Sequence, residues 1–120
     1  MKKKVIIAED SVYMSALLKE MLIKHGYDVI AEAENGREAV RLYEELKPDV
    51  ITLDIGMPEM DGISALKEIK SSHPDAKVVM ACTMNQQTQV IEAIRAGASD
   101  FFIKPMQAER VIEALERVLK

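Results

Sequence analysis

VITLDIGMP, residues 50–58, is a run of strand-forming residues closed by an acid, with a glycine and a proline just beyond. Val50, Ile51 and Thr52 are β-branched and fit a pleated backbone. Val50, Ile51 and Leu53 are nearly consecutive rather than alternating apolar residues, so both faces of this strand are buried, as in the interior of a parallel sheet. Gly56 and Pro58 stop the regular structure, and after Gly62 the spacing changes to Ile63, Leu66 and Ile69, one face of a helix. The unit is a strand, an acid at its carboxyl end, a loop and a helix.

Working outward, the same unit recurs along the chain. Strand-length apolar runs occupy residues 5–8, 29–33, 50–53, 78–82 and 101–103. Helical spacing separates them: Met14, Leu17, Leu18, Met21 and Leu22; Ala39, Val40, Tyr43 and Leu46; the 63–69 helix; Val90, Ile91 and Ile94; and Val111, Ile112, Leu115, Val118 and Leu119. Gly26 and Gly97 are placed to close the first and fourth helices, Pro48 and Pro74 follow the second and third, and Asn35 is available as a cap. The pattern predicts an α/β fold of (βα)5 type, a doubly wound five-stranded parallel sheet with right-handed crossovers and helices on both faces.

The chain has 120 residues, 48% of them hydrophobic, enough for one domain over residues 1–120 with a single packed interior. Its net charge of -4 gives no general attraction to phosphate backbones, so nucleic acid is not an expected partner. The opening MKKKVIIAED is interrupted by Glu9 and Asp10 before an apolar secretory segment could form, and no run approaches a membrane span. The single Cys82 reads as small buried filler in a reducing cytoplasm.

In such a sheet ligands bind beyond the carboxyl ends of the strands, where neighbouring connections diverge. Glu9 and Asp10 follow the first strand and Asp54 closes the third, so adjacency of those strands gathers three carboxylates. Like charges in one pocket call for a cation, and an oxygen-only donor set favours Mg²⁺ over softer metals. Asp10 also reads as a helix cap shared with Ser11. The chemistry that fits is nucleophilic: Asp54 attacks a phosphoryl group and becomes an acyl phosphate, while fixed cations take up charge on the transferring oxygens. Thr83 after the fourth strand supplies a hydroxyl and Lys104 after the fifth an ammonium, although either residue alone is an ordinary turn or surface residue.

IIAEDS, ITLDIGMPEMDG, the Thr83 region and DFFIKP together resemble the receiver domain of response regulators over essentially the whole chain, and QVIEAIRAGASDFFIKP with VIEALERVL is similar to the stand-alone chemotaxis regulators of that family. The resemblance implies a flavodoxin-like sheet in the order 2-1-3-4-5. It implies phosphorylation of Asp54 by a histidine kinase. It also implies Mg²⁺ held by Asp10, Asp54 and the Gly56 carbonyl, with Glu9 acting largely through water. Thr83 and Lys104 would contact the phosphoryl group, and Phe101 would stand at the aromatic switch position, where simple core packing is the plainer reading. A cis Lys104–Pro105 peptide is also implied.

Glu9, Met84, Phe101 and Met106 depart from the family's commonest residues. Met84 is expected to cover the acyl phosphate, with Gly56 and Asn85 flanking the same opening. No effector domain is read in these residues, so output is expected to be binding through the surface of the fourth helix, fifth strand and fifth helix. The target is a flagellar motor switch protein or another phospho-dependent partner, and an aspartyl-phosphate phosphatase resets the switch. A monomer is expected.

Three rivals differ in what they require. A flavin-binding module needs a phosphate cradle, but the first loop is the acidic EDS. A phosphohydrolase using an aspartyl phosphate usually has a second acid two residues after the nucleophile, where Gly56 stands. A stand-alone receiver in a phosphorelay would share the site and differ only in its partners.

Overall fold

The computed structural model describes residues 1–120. Its elements are β1 (Lys4–Ala8), α1 (Val12–Lys24), β2 (Asp28–Ala33), α2 (Gly36–Leu46), β3 (Val50–Asp54), α3 (Gly62–Ser72), β4 (Val78–Cys82), α4 (Gln87–Arg95), β5 (Asp100–Ile103) and α5 (Ala108–Leu119). All strand pairs are parallel and the order is β2-β1-β3-β4-β5, as expected. No helix is long and apolar enough to cross a membrane.

The alternation of the strands divides the core in two. Ile6, Ile51, Leu53, Val78 and Met80 face α2, α3 and α4, packing on Tyr43, Ile63, Leu66, Ile69 and Ala93. Val5, Ile7, Val50, Val79 and Phe102 face α1 and α5, packing on Leu18, Leu22, Val111 and Leu115. Each such Leu or Ile taken fully out of water contributes about 1.5–3 kcal/mol, which is why the buried stretches of the central strands carry no charge before Asp54. Thr52 is the exception along β3. Its hydroxyl is buried without a hydrogen-bond partner, between Ile7 and Val79 on the neighbouring strands.

Helix ends follow the local chemistry. Gly26 and Gly97 adopt φ of 86° and 106°, and the N–H groups one residue later, on Tyr27 and Ala98, donate back to Leu22 and Ala93. This closes α1 and α4 as left-handed glycines do. Asn35 caps α2 by accepting the Glu38 N–H at 2.8 Å, and the Glu38 side chain accepts the N–H of Glu34, just before the cap, at 3.0 Å. Ser11, not Asp10, caps α1, accepting the Met14 N–H at 3.3 Å. Asp10 is exposed and left to other work.

Three helices depart from their apolar spacing, α2 by leaving its last apolar residue, Leu46, exposed. On α4 only Ala93 is buried, and Ile91 and Ile94 point outward. The helix packs through Ala93 and the half-buried Val90, with Ala96 at its cap and Ala98 just beyond against the same core. Leu17 likewise faces out of α1 while Leu18 and Leu22 fill the core.

Candidate active site

The winding reverses between β1 and β3: α1 covers one face, α2 and α3 the other, and the crevice opens at the carboxyl ends of these two strands. Glu9 is held there because its N–H continues the ladder to Ala33 at 2.9 Å. Asp54 closes β3 opposite Ala81, and the next N–H, of Ile55, donates to Ala81 at 3.0 Å. Lys104 leaves β5 with its N–H on Cys82 at 2.7 Å, and the Lys104–Pro105 peptide is cis. Three separate strand ends therefore deliver two carboxylates and an ammonium to one point.

One oxygen each from Glu9, Asp10 and Asp54 lies within 4.8 Å of the others. Lys104 Nζ lies 3.3 Å from Asp54 and donates a short hydrogen bond to Glu9. The second Glu9 oxygen accepts the Ser11 N–H at 3.0 Å. Glu9 and Asp54 are buried and Asp10 is exposed, so one wall of the cluster meets solvent. Burial, then the negative charge of Glu9, push the Asp54 carboxyl up to about 6 against the pull of Lys104. Burial alone would lower the Lys104 ammonium, but its bond to Glu9 and the charges of Asp54 and Glu9 outweigh that and leave it raised. One ammonium, paired with Glu9 and Asp54, thus stands in a cluster of three carboxylates, and the excess negative charge suits a hard divalent cation.

Thr83 does not bond to Asp54. Its hydroxyl donates to Asn85 Oδ1, and its N–H donates to Gln86 Oε1 at 2.8 Å. Met84, expected to cover the acyl position, is 72% exposed and lines a groove of about 510 Å³ with Phe101, Ile103 and Pro105. The side chain that reaches over Gly56 is that of Gln86, with Nε2 3.7 Å from where a Cβ on Gly56 would stand. Sequence reasoning missed Gln86, because a glutamine three residues after a threonine carries no distinctive signal until the loop is folded. Phe101 is 37% exposed and points into the same groove as Met84, not into the core.

The loop after Asp54 is braced by glycines. A Cβ on Gly62 would collide with the backbone carbonyl of Asp54, and one on Gly36 with the carbonyl of Met60. Gly62 N–H donates to Ile55 at 2.8 Å and Gly36 N–H to Met60 at 2.9 Å, so the loop is tied to both α2 and its own strand.

A buried carboxylate with an ammonium beside it, in an acidic cluster at the strand ends of a doubly wound sheet, is the arrangement of a receiver. Residues 5–116 match the response regulator receiver domain, and the chain belongs to that family, the receivers of two-component signalling. Within it the chain is CheY-like. It is 54% identical over 120 residues to the chemotaxis protein CheY of Thermotoga maritima, covering 100% of both chains. It is 50% identical over 119 residues to that of Bacillus subtilis, covering 99% of each. A solved CheX-CheY-BeF3-Mg+2 complex from Borrelia burgdorferi contains a chain that superposes with a TM-score of 0.94 at 32% identity, over 98% of this chain and 90% of that one.

Proposed function

We propose that Asp54 accepts a phosphoryl group from a histidine kinase, and that the acyl phosphate changes the affinity of the α4-β5-α5 face for a target in chemotaxis. The observation that carries this reading is the buried Asp54 carboxylate at the end of β3, with Lys104 Nζ at 3.3 Å and the oxygens of Glu9 and Asp10 beside it. An Asp54 oxygen bonds to phosphorus as the P–N bond of the donor phosphohistidine breaks, and the departing imidazole takes up a proton. Lys104 meets a transferring oxygen, and Thr83 turns its hydroxyl toward another once it leaves Asn85.

The donor set is all oxygen, and it fits Mg²⁺ held by Asp10, Asp54 and the Gly56 carbonyl. Glu9, already occupied by Lys104 and the Ser11 N–H, acts through water. When bound, the ion neutralises charge on the transferring oxygens.

Ile91, Ile94, Met84, Phe101 and Ile103 are large apolar side chains exposed on or beside α4 and β5, and such a concentration suits a protein partner. A flagellar motor switch protein is the target this reading favours, an aspartyl-phosphate phosphatase is a second partner, and the CheX bound to the Borrelia burgdorferi CheY suggests a CheX-like protein as a further one. The test is incubation with acetyl phosphate and Mg²⁺, followed by intact-mass measurement. One hydroxylamine-labile phosphoryl group per chain is expected, and none in Asp54→Asn. Equal labelling of that variant overturns the reading.

A further inference from the structure

Gln86 stands immediately before α4, where a side chain ordinarily turns forward to cap the free N–H groups of the first helical turn. It makes no such bond. Its carboxamide turns back instead, and Oε1 accepts the Thr83 N–H at 2.8 Å, while the Gln86 N–H donates to the Thr83 carbonyl at 3.1 Å. Both backbone polar groups of Thr83 are thereby held by one residue. The Thr83 hydroxyl is engaged by Asn85, so every polar group of Thr83 is committed within its own loop and none reaches Asp54. The other end of the carboxamide, Nε2, lies against Gly56, 3.7 Å from the place a Cβ would take. The amide therefore spans from the β4–α4 loop to the β3–α3 loop, within ordinary van der Waals distance of the place a Gly56 Cβ would take.

We propose that Gln86 is a positioning residue for the phosphoryl reaction, a clamp that keeps Thr83 in its resting place and releases it when a phosphoryl group on Asp54 takes the Thr83 hydroxyl. The inference rests on the proposed role of Asp54 and Thr83. A group bound to Asp54 shifts Thr83 only by its differential interaction with the released state, so each bond of the clamp weakens apparent binding. Loss of the one side-chain bond is worth roughly two- to tenfold, the range a single net hydrogen bond supports.

The test uses the full chain with beryllofluoride and Mg²⁺ as the phosphoryl mimic, followed by NMR at the Thr83 amide. Gln86→Ala is expected to bind beryllofluoride roughly two- to tenfold more tightly than wild type. Its Thr83 amide resonance, without ligand, should already lie toward the position seen in the bound wild type. Gln86→Glu keeps an acceptor for the Thr83 N–H and should restore the resting resonance. Gln86→Leu should not restore it. Affinity that is unchanged or weaker in Gln86→Ala, or a Thr83 amide that does not move there, overturns the clamp. Wild type that fails to bind beryllofluoride overturns the functional reading of Asp54 as well, so the two failures are distinguishable.

Discussion

Replacing Asp54 by asparagine should stabilise the metal-free protein at neutral pH. The carboxyl is pushed from 3.8 to about 6 by burial and by Glu9, so folding favours its protonated form. The sign follows: the folded state binds the proton more tightly than the unfolded chain, and stability from this group, complete below about pH 4, is lost as pH rises to about 6. Above that window the ionised Asp54 burdens the fold by about two pKa units, on the order of 3 kcal/mol at about 1.36 kcal/mol per unit. Asparagine has nearly the same shape and no charge, and Lys104 keeps Glu9 as its partner. For 120 residues an unfolding entropy of about 0.25 kcal/mol/K turns that energy into a rise in Tm of about 10 °C. The assay is thermal unfolding by circular dichroism in chelator, from about pH 4 to 7.5. Wild type should fall in stability through the window relative to Asp54→Asn, and saturating Mg²⁺ should narrow the gap at neutral pH by binding the folded wild type. Parallel pH profiles, or a Tm for Asp54→Asn at or below that of wild type at pH 7, refute the reasoning.

Asp10→Asn removes an exposed anionic ligand without touching the core, and it should weaken Mg²⁺ binding by about tenfold or more in calorimetric titration, the scale on which even outer-sphere partners act. Thr52→Val replaces a buried, unpartnered hydroxyl by a methyl group of similar size, and denaturant unfolding should show a gain of about 1–2 kcal/mol. A loss would mean that the hydroxyl is satisfied. Met84→Ala should leave the rate of labelling by acetyl phosphate unchanged within about twofold, because the side chain is largely exposed and lines the groove beside β5. The same variant should weaken capture of a phospho-dependent target.

The strands could be read directly because a parallel sheet covered on both faces leaves a continuous apolar run, and β1, β3 and β4 each carry one. Asp54 at the end of β3 and Glu9 just past β1 stood out for the same reason: the buried stretch of an interior strand has no place for a charge. Helix faces were less legible. The spacing of Val90, Ile91 and Ile94 describes a stripe, but periodicity cannot say which way a short helix turns it, and α4, packed through Ala93 and Val90, leaves two of the three outside.

By itself the sequence determined the order of elements, the positions of Glu9, Asp10, Asp54, Thr83 and Lys104 at strand ends, and the family to which they belong, since each of these depends on local pattern and short-range chemistry. Only the tertiary structure decided which groups are partners. Lys104 and Glu9 are 95 residues apart in the chain, and their pairing exists only because β1 and β5 point their ends into one crevice. The lateral placement of side chains was likewise decided there: Met84 and Phe101 turned into the β5 groove, and Gln86 was laid between Thr83 and Gly56. A loop side chain takes its direction from what the rest of the fold leaves open beside it, and no spacing along the chain encodes that space.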